Sequence, residues 1–277
     1  MKRIAALFVA MALTLSLTAC GGAKQETKTE PAGNNPAPAA AKTHLDEIKA
    51  AGKIIMGTSA DYPPYEFHKT VDGKDTITGW EVEMAELIAK ELGVKLEIKE
   101  AGFDNLIPEL MAKKVDFVIS AMTITEKRKG SVDFSEPYWQ GGQVILTTKE
   151  KAAAIKSAAD LNGKTVGVQL GTTGEEEAKK IEGAKLKQVE KFEAAILDLL
   201  SGKVDAVVAG YTVGKNYEKN DARLAVIGEP LVSEENGVAF RKGDKELVDA
   251  VNAALAKLAK NGDIEKLVAK YEAEENK

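Results

Sequence analysis

One stretch of this sequence occurs twice, and the repetition constrains the fold more than any other feature. Leu106 to Ser120 reads LIPELMAKKVDFVIS, and Ala195 to Ala209 reads AILDLLSGKVDAVVA. In each, apolar residues at helical spacing lead into a Lys-Val-Asp turn, Lys114-Val115-Asp116 or Lys203-Val204-Asp205, and then into a continuous apolar run. Strands buried on both faces lose the alternation of apolar and polar residues, so such runs suit the centre of a parallel sheet covered by helices. Helix–turn–strand units are common, and the shared register of the Lys-Val-Asp turn is what favours a true echo over coincidence. Two such units predict an α/β protein of two similar lobes. Each lobe offers the C-terminal ends of its strands to a shared crevice, where ligands of open α/β sheets bind.

The surrounding pattern agrees. Lys53 to Thr58 reads as a strand following a helix stopped by Gly52. Trp80, Met84, Leu87, Ile88 and Leu92 recur at helical spacing, with Gly93 placed to end that helix in the left-handed conformation. Val94, Leu96 and Ile98 alternate as a strand, and Asp104 is expected to cap a helix running through Leu110. A second series places strands near Thr165–Gln169, Leu186–Val189, Val204–Val208 and Leu224–Ile227. A strand at Gly237–Phe240 and helices at Glu246–Ala259 and Asp263–Tyr271 follow.

The N-terminus sets the compartment. Lys2 and Arg3 precede an apolar run from Ile4 to Leu17, which closes on Leu17-Thr18-Ala19-Cys20. This is the grammar of a secretory signal, and the run is short of the ~20 residues that span a bilayer. The ending resembles the bacterial lipoprotein cleavage motif, so Cys20 is expected to carry lipid, palmitate included. With a single cysteine, the chain has no intramolecular disulfide and no thiolate metal site. Residues 21–42, rich in Ala, Pro, Gly, Asn and Lys, read as a disordered tether. No second long apolar segment appears, so the expectation is a chain anchored to the outer face of a membrane. Loss of Lys2 and Arg3 takes the formal net charge from −5 to −7, which argues against nucleic acid as a partner.

Three segments then resemble one family, the solute-binding proteins of bacterial ABC importers for polar amino acids. They are Ser59-Ala60-Asp61-Tyr62-Pro63-Pro64-Tyr65-Glu66-Phe67 with Gly79-Trp80-Glu81-Val82-Glu83, Phe103-Asp104-Asn105-Leu106-Ile107-Pro108, and Ser120-Ala121-Met122-Thr123-Ile124-Thr125-Glu126-Lys127-Arg128 leading to Val132-Asp133-Phe134-Ser135-Glu136-Pro137-Tyr138. The resemblance implies a two-lobed periplasmic-binding-protein fold of type II, each lobe a sheet flanked by helices, joined by a two-strand hinge. Residues 43–142 and 233–277 are expected to form lobe 1, and 143–232 lobe 2. It also implies a monomer without cofactor or metal that delivers its ligand to a membrane permease. Tyr62 and Phe103 match aromatic positions that wall the ligand. Ser120, Ala121 and Thr123 match a turn that hydrogen-bonds it, and Arg128 matches the arginine that grips its α-carboxylate. Gln169, Thr172 and Thr173 match a loop of the second lobe that closes over it.

The chemistry supports these roles. Arginine pairs a carboxylate through a planar fork of donors, and Gly171-Thr172-Thr173-Gly174 before a helix at Glu175–Ile181 offers free amides that favour anions. Two positions depart from the family. Gly210 stands where many members carry an acid for the ligand's α-ammonium, which leaves Asp61, Glu235, or Tyr211 with water to serve, or else a ligand that is not an ordinary α-amino acid. Ser59 stands where members favouring cationic ligands often carry aspartate, and on that ground a neutral ligand such as glutamine is slightly preferred. Two other classes compete: an enzyme on the same scaffold, resembling cyclohexadienyl dehydratase, and a receptor's sensor lobe. Neither His44 nor His68 is placed as a catalytic acid, so an enzyme would rest on Asp61 or Glu66.

Overall fold

A computed structural model describes residues 42–274. The signal segment, Cys20 and all but the last residue of the tether lie outside them.

Two five-stranded sheets organise this body. In the first, strand order is Lys95–Glu100, Lys53–Thr58, Phe117–Val118, Ala239–Arg241 and Val132–Phe134. Its first three strands are parallel and the inserted Ala239–Arg241 is antiparallel. In the second, the order is Lys185–Val189, Thr165–Gln169, Ala206–Gly210, Trp139–Thr148 and Leu224–Asn236, again with three parallel strands first. The duplicated sequence therefore occupies matching places, its apolar runs becoming the inner strands Phe117–Val118 and Ala206–Gly210. The Lys-Val-Asp turns also repeat a contact. The Asp116 carboxylate accepts from Ile55 N, and that of Asp205 from Thr165 N, so each acid ties its turn to the neighbouring strand.

The chain crosses between sheets along Trp139–Thr148 and Leu224–Asn236. These pair antiparallel as a continuous ribbon from Thr148↔Leu224 to Trp139↔Asn236, with a register shift between Ile227 and Val232. The long helix Trp80–Leu92 packs Trp80, Met84, Ala85 and Ile88 fully out of solvent, and ends on Gly93 with φ 76° as its spacing predicts. The C-terminal helices Lys245–Lys260 and Asp263–Glu274 lie against it.

Several local expectations are corrected. Asp104 does not cap the following helix. It sits inside a 3₁₀ turn, Phe103–Asn105, and the α-helix Leu106–Met111 starts without a side-chain cap. The run Val115–Ser120 contributes only Phe117–Val118 to its sheet. Leu224–Ile227 is the start of a strand three times as long, because it continues as the inter-lobe ribbon. The hairpins Asp61–Tyr62, Glu66–Val71 and Lys74–Thr78 form a third, three-stranded sheet that the spacing does not reveal.

Candidate functional site

The cleft is built from strand ends. Thr58 leads to Ser59 and Asp61, Val118 leads to Ser120 and Ala121, and Gln169 and Gly210 end their strands on the other side. The space between these ends is a small, nearly closed cleft whose lining mixes aromatic, hydroxyl, amide and charged side chains. Of the residues singled out from sequence, Tyr62, Phe103, Ser120, Ala121, Thr123, Arg128, Gln169, Thr172 and Thr173 all line it. Tyr211 does not. Gly210 ends the strand and Tyr211 opens the helix Tyr211–Asn220, leaving the residue 43% exposed.

The lobes are closed on one another. Asp61 is buried and reaches across the cleft: its carboxylate accepts from Gln169 Nε2 at 3.0 Å and Phe192 N at 2.6 Å, and from Ser59 Oγ at 3.1 Å. Tyr62 Oη accepts from Gly210 N at 2.6 Å, and its ring meets Phe192 edge-on at 4.9 Å. A Cβ at position 210 would lie 3.0 Å from that hydroxyl, so the Tyr62 ring tip occupies the room a side chain there would need. Lys127 and Glu176 add an outer ion pair between the lobes.

Arg128 follows directly from its local sequence. Thr125 caps the short helix Glu126–Lys129, its Oγ1 accepting from Arg128 N, and this turns the guanidinium into the cleft. Nη1 donates to Thr123 O at 2.7 Å and Nη2 to Gly171 O of the opposite lobe at 3.1 Å. The guanidinium also lies 5.3 Å from the centre of the Phe103 ring. Glu234 and Glu176 act on it through space, without a hydrogen bond. Burial pushes its pKa down to about 10, which still leaves it charged at neutral pH. A desolvated cation held by carbonyls alone is a strong attractor for a carboxylate.

The loop Gly171-Thr172-Thr173-Gly174 departs from expectation. Its helix runs Thr173–Lys179, and one amide of the loop, Gly171 N, and one of the helix, Glu175 N, are already satisfied. Gly171 N donates to the Glu175 carboxylate and Glu175 N to Thr172 Oγ1. The Thr172 hydroxyl is taken up within the loop, donating to Gln169 O, and Thr173 is the loop's hydroxyl that reaches the neighbouring side chains of the cleft.

Beneath the cleft lies a buried acid pair. Ser120 Oγ donates to Glu66 Oε1 at 3.0 Å, while Glu66 Oε2 is buried without a partner donor. Glu81 accepts from Ala121 N at 2.8 Å and from Tyr138 Oη. Ala121 stands at φ 44°, a left-handed conformation costly for alanine, and it is held there from both sides, Asn236 Nδ2 donating to its carbonyl. Burial and the adjacent Glu81 carboxylate push Glu66 well above the usual carboxylate range, and burial raises Glu81 as well. Two carboxylates this close share a proton. A raised folded-state pKa contributes stability that is full below the unfolded value, ~4.3, and is lost as pH rises through the folded value. Glu66→Gln mimics the protonated form. It should flatten the fall in stability between pH 5 and pH 8, followed by urea unfolding, and leave the variant the more stable at pH 8. A parent-to-variant difference that does not change with pH would contradict this.

Sequence reasoning missed Gln143, Phe192 and Val208 as lining residues, and considered Glu66 only as a catalytic acid. Phe192 begins a helix whose apolar spacing reads as core, and Gln143 lies inside a strand, so neither carries a local signal. Glu235, named as a candidate acid, is exposed; its neighbour Glu234 is the one turned toward the cleft, since successive strand residues face opposite ways. Among the described residues, no His, Cys, Asp and Glu group is arranged to hold a metal ion, and no helix is long and apolar enough to cross a membrane.

A two-lobed α/β body closed around a polar cleft is the architecture of a binding receptor. Residues 54–274 match the family of bacterial extracellular solute-binding proteins, family 3, and the chain belongs to it. It is an extracytoplasmic solute-binding protein and not an enzyme. The arginine-binding extracellular protein ArtP of Bacillus subtilis is 36% identical over 277 residues, covering 98% of both chains. The L-cystine-binding protein TcyJ of Escherichia coli is 37% identical over 229 residues, covering 82% of this chain and 85% of that one. The substrate-binding protein AbpA of a Streptococcus pneumoniae amino acid ABC transporter, solved bound to L-arginine, superposes with a TM-score of 0.80 at 34% identity, covering 83% of this chain and 98% of that one.

Proposed function

We propose that this chain is the substrate-binding component of an amino-acid ABC importer, that its ligand is a basic amino acid of the arginine class, and that the residues lining the cleft bind it. The charge inventory of the cleft carries this reading. Arg128 is the one cation among the lining residues and has no carboxylate bonded to it, whereas Asp61 and Glu66 both line the same cleft. Glu66 and Glu81, sharing a proton, hold one negative charge between them, and with Asp61 that makes two against Arg128. A ligand with one carboxylate and two positive groups balances that set, and a neutral amino acid leaves one charge uncompensated. Burial already holds Asp61 above its ordinary pKa, as expected of a carboxylate awaiting a counter-charge. The arginine-binding names of relatives point the same way. The neutral preference drawn from Ser59 is accordingly withdrawn: the acid stands two residues on, at Asp61.

A thermal-shift panel of L-arginine, L-lysine, L-histidine, L-glutamine and L-glutamate tests the ligand class. Basic members should stabilise, a ligand at ~100 times its dissociation constant adding about 2.7 kcal/mol. A response to glutamine matching that to arginine would return the neutral reading.

Lobe 1 is taken as residues 43–142 and 233–277 and lobe 2 as 143–232, hinged on the ribbon of Trp139–Thr148 and Leu224–Asn236. The chain acts as a monomer, held to the outer face of the membrane by lipid on Cys20, and hands its ligand to the importer's permease. The Leu-Thr-Ala-Cys ending supports the anchor. A Cys20→Ser protein should leave the membrane fraction, and one that stays would remove the anchor from the account.

A further inference from the structure

Gly210 offers no side chain to the ligand's α-ammonium where the sequence resemblance implies an acid, and the hydrogen-bond network around Glu234 supplies a substitute of a different kind. Glu234 lies on the inter-lobe ribbon opposite Gly141. Its Oε2 accepts from Gln143 Nε2 at 2.8 Å, Thr173 Oγ1 at 3.0 Å and Thr123 Oγ1 at 3.1 Å. The three donors come from both lobes and all line the cleft.

The direction of these bonds is fixed by chemistry. An ionised carboxylate only accepts, and each threonine hydroxyl has a single proton. Both hydroxyl protons therefore point at Glu234. Thr123 Oγ1 and Thr173 Oγ1 stand 3.3 Å apart with no proton left to share between them, and Thr173 Oγ1 also receives the second N–H of Gln143 at 3.2 Å. What the pair of hydroxyls retains is lone pairs, so each can serve a ligand only as an acceptor. Two acceptors side by side, backed by a carboxylate one hydroxyl away, match a group with several N–H donors and a positive charge. An α-ammonium is such a group, and a hydroxyl or carboxylate of a ligand is not.

We propose that Glu234 is a positioning residue that sets Thr123 and Thr173 as acceptors for the ligand's α-ammonium, taking the part that Gly210 leaves open. The inference rests on the amino-acid reading above. It separates a through-hydroxyl role from a merely structural one, because its effect should depend on one chemical group of the ligand.

The test uses the full chain and two probes, L-arginine and 5-guanidinopentanoic acid, the same molecule without its α-amino group. Calorimetric titration of the parent should favour L-arginine by at least tenfold. Glu234→Gln puts an amide donor where the carboxylate was, which reverses the hydroxyls. It should weaken L-arginine by about 10- to 100-fold, the value of a charge-assisted hydrogen bond. Its affinity for the deaminated probe should stay within about threefold of the parent's. If Glu234→Gln does not fold, Thr173→Val removes one acceptor at nearly constant shape and should show the same selectivity. Equal weakening of both probes, or no weakening of either, overturns the proposal. A parent that binds neither probe overturns the amino-acid reading itself and this inference with it.

Discussion

Arg128→Ala should lose nearly all affinity for the ligand. Truncating one side of a buried, hydrogen-bonded charge pair costs roughly 2–5 kcal/mol, or about 30- to several-thousand-fold in the dissociation constant. The upper part of that range is expected here, because both lobes converge on this side chain. Thr123 O holds it in one lobe and Gly171 O in the other, so its loss also removes a contact that favours closure. Arg128→Lys keeps a charge and loses the planar fork, and it should fall between parent and alanine. Stability without ligand should change far less, since the side chain makes no ion pair with Glu234 or Glu176, which reach it only through space. An alanine variant that binds as the parent does would remove the carboxylate-clamp assignment.

Gly79→Ala should have the largest effect on the fold. Gly79 precedes the helix Trp80–Leu92 at φ 138° and ψ 164°, a region open essentially to glycine alone. A Cβ there would stand 2.0 Å from Tyr65 O and 2.8 Å from Glu66 Cα, both backbone atoms. Relief would require moving the strand that carries Glu66, and so the acid pair under the cleft. A loss of roughly 4 kcal/mol or more is expected, in the exceptional tail of single substitutions. Gly52→Ala supplies the control. Its φ of 69° is also left-handed, but nothing lies within 4 Å of its added methyl, so the cost should be about 1–2 kcal/mol. Denaturant unfolding that gives the two variants similar losses would show that the close approach at Tyr65 relaxes freely.

How far the sequence carries depends on whether a feature is local. The helix Trp80–Leu92 has its spacing and its glycine stop within a few residues, and the duplicated unit has its turn in register, so both are legible. Arg128 is legible through its motif, not its chemistry, because Lys127 and Lys129 beside it make an ordinary charged surface run. The features that resist reading are long-range. The inter-lobe ribbon brings Glu234 beside Thr123 and Thr173, residues far apart in the chain, through a register with a shift in its middle. A phase difference of one residue separates Glu234 from the exposed Glu235, and only the pairing register settles it. Gly210 is legible as a missing acid, yet its reason, the Tyr62 hydroxyl crossing from the other lobe, exists only in the closed body.

The central claim is that this cleft takes a basic amino acid, with Arg128 on its carboxylate and the acids on its positive groups. Calorimetric titration of the full chain with L-arginine and, separately, with L-glutamine tests it most directly. Saturable one-to-one binding of L-arginine, at least tenfold tighter than that of L-glutamine, is the predicted result. Tighter binding of L-glutamine, or no heat with either, would contradict the account.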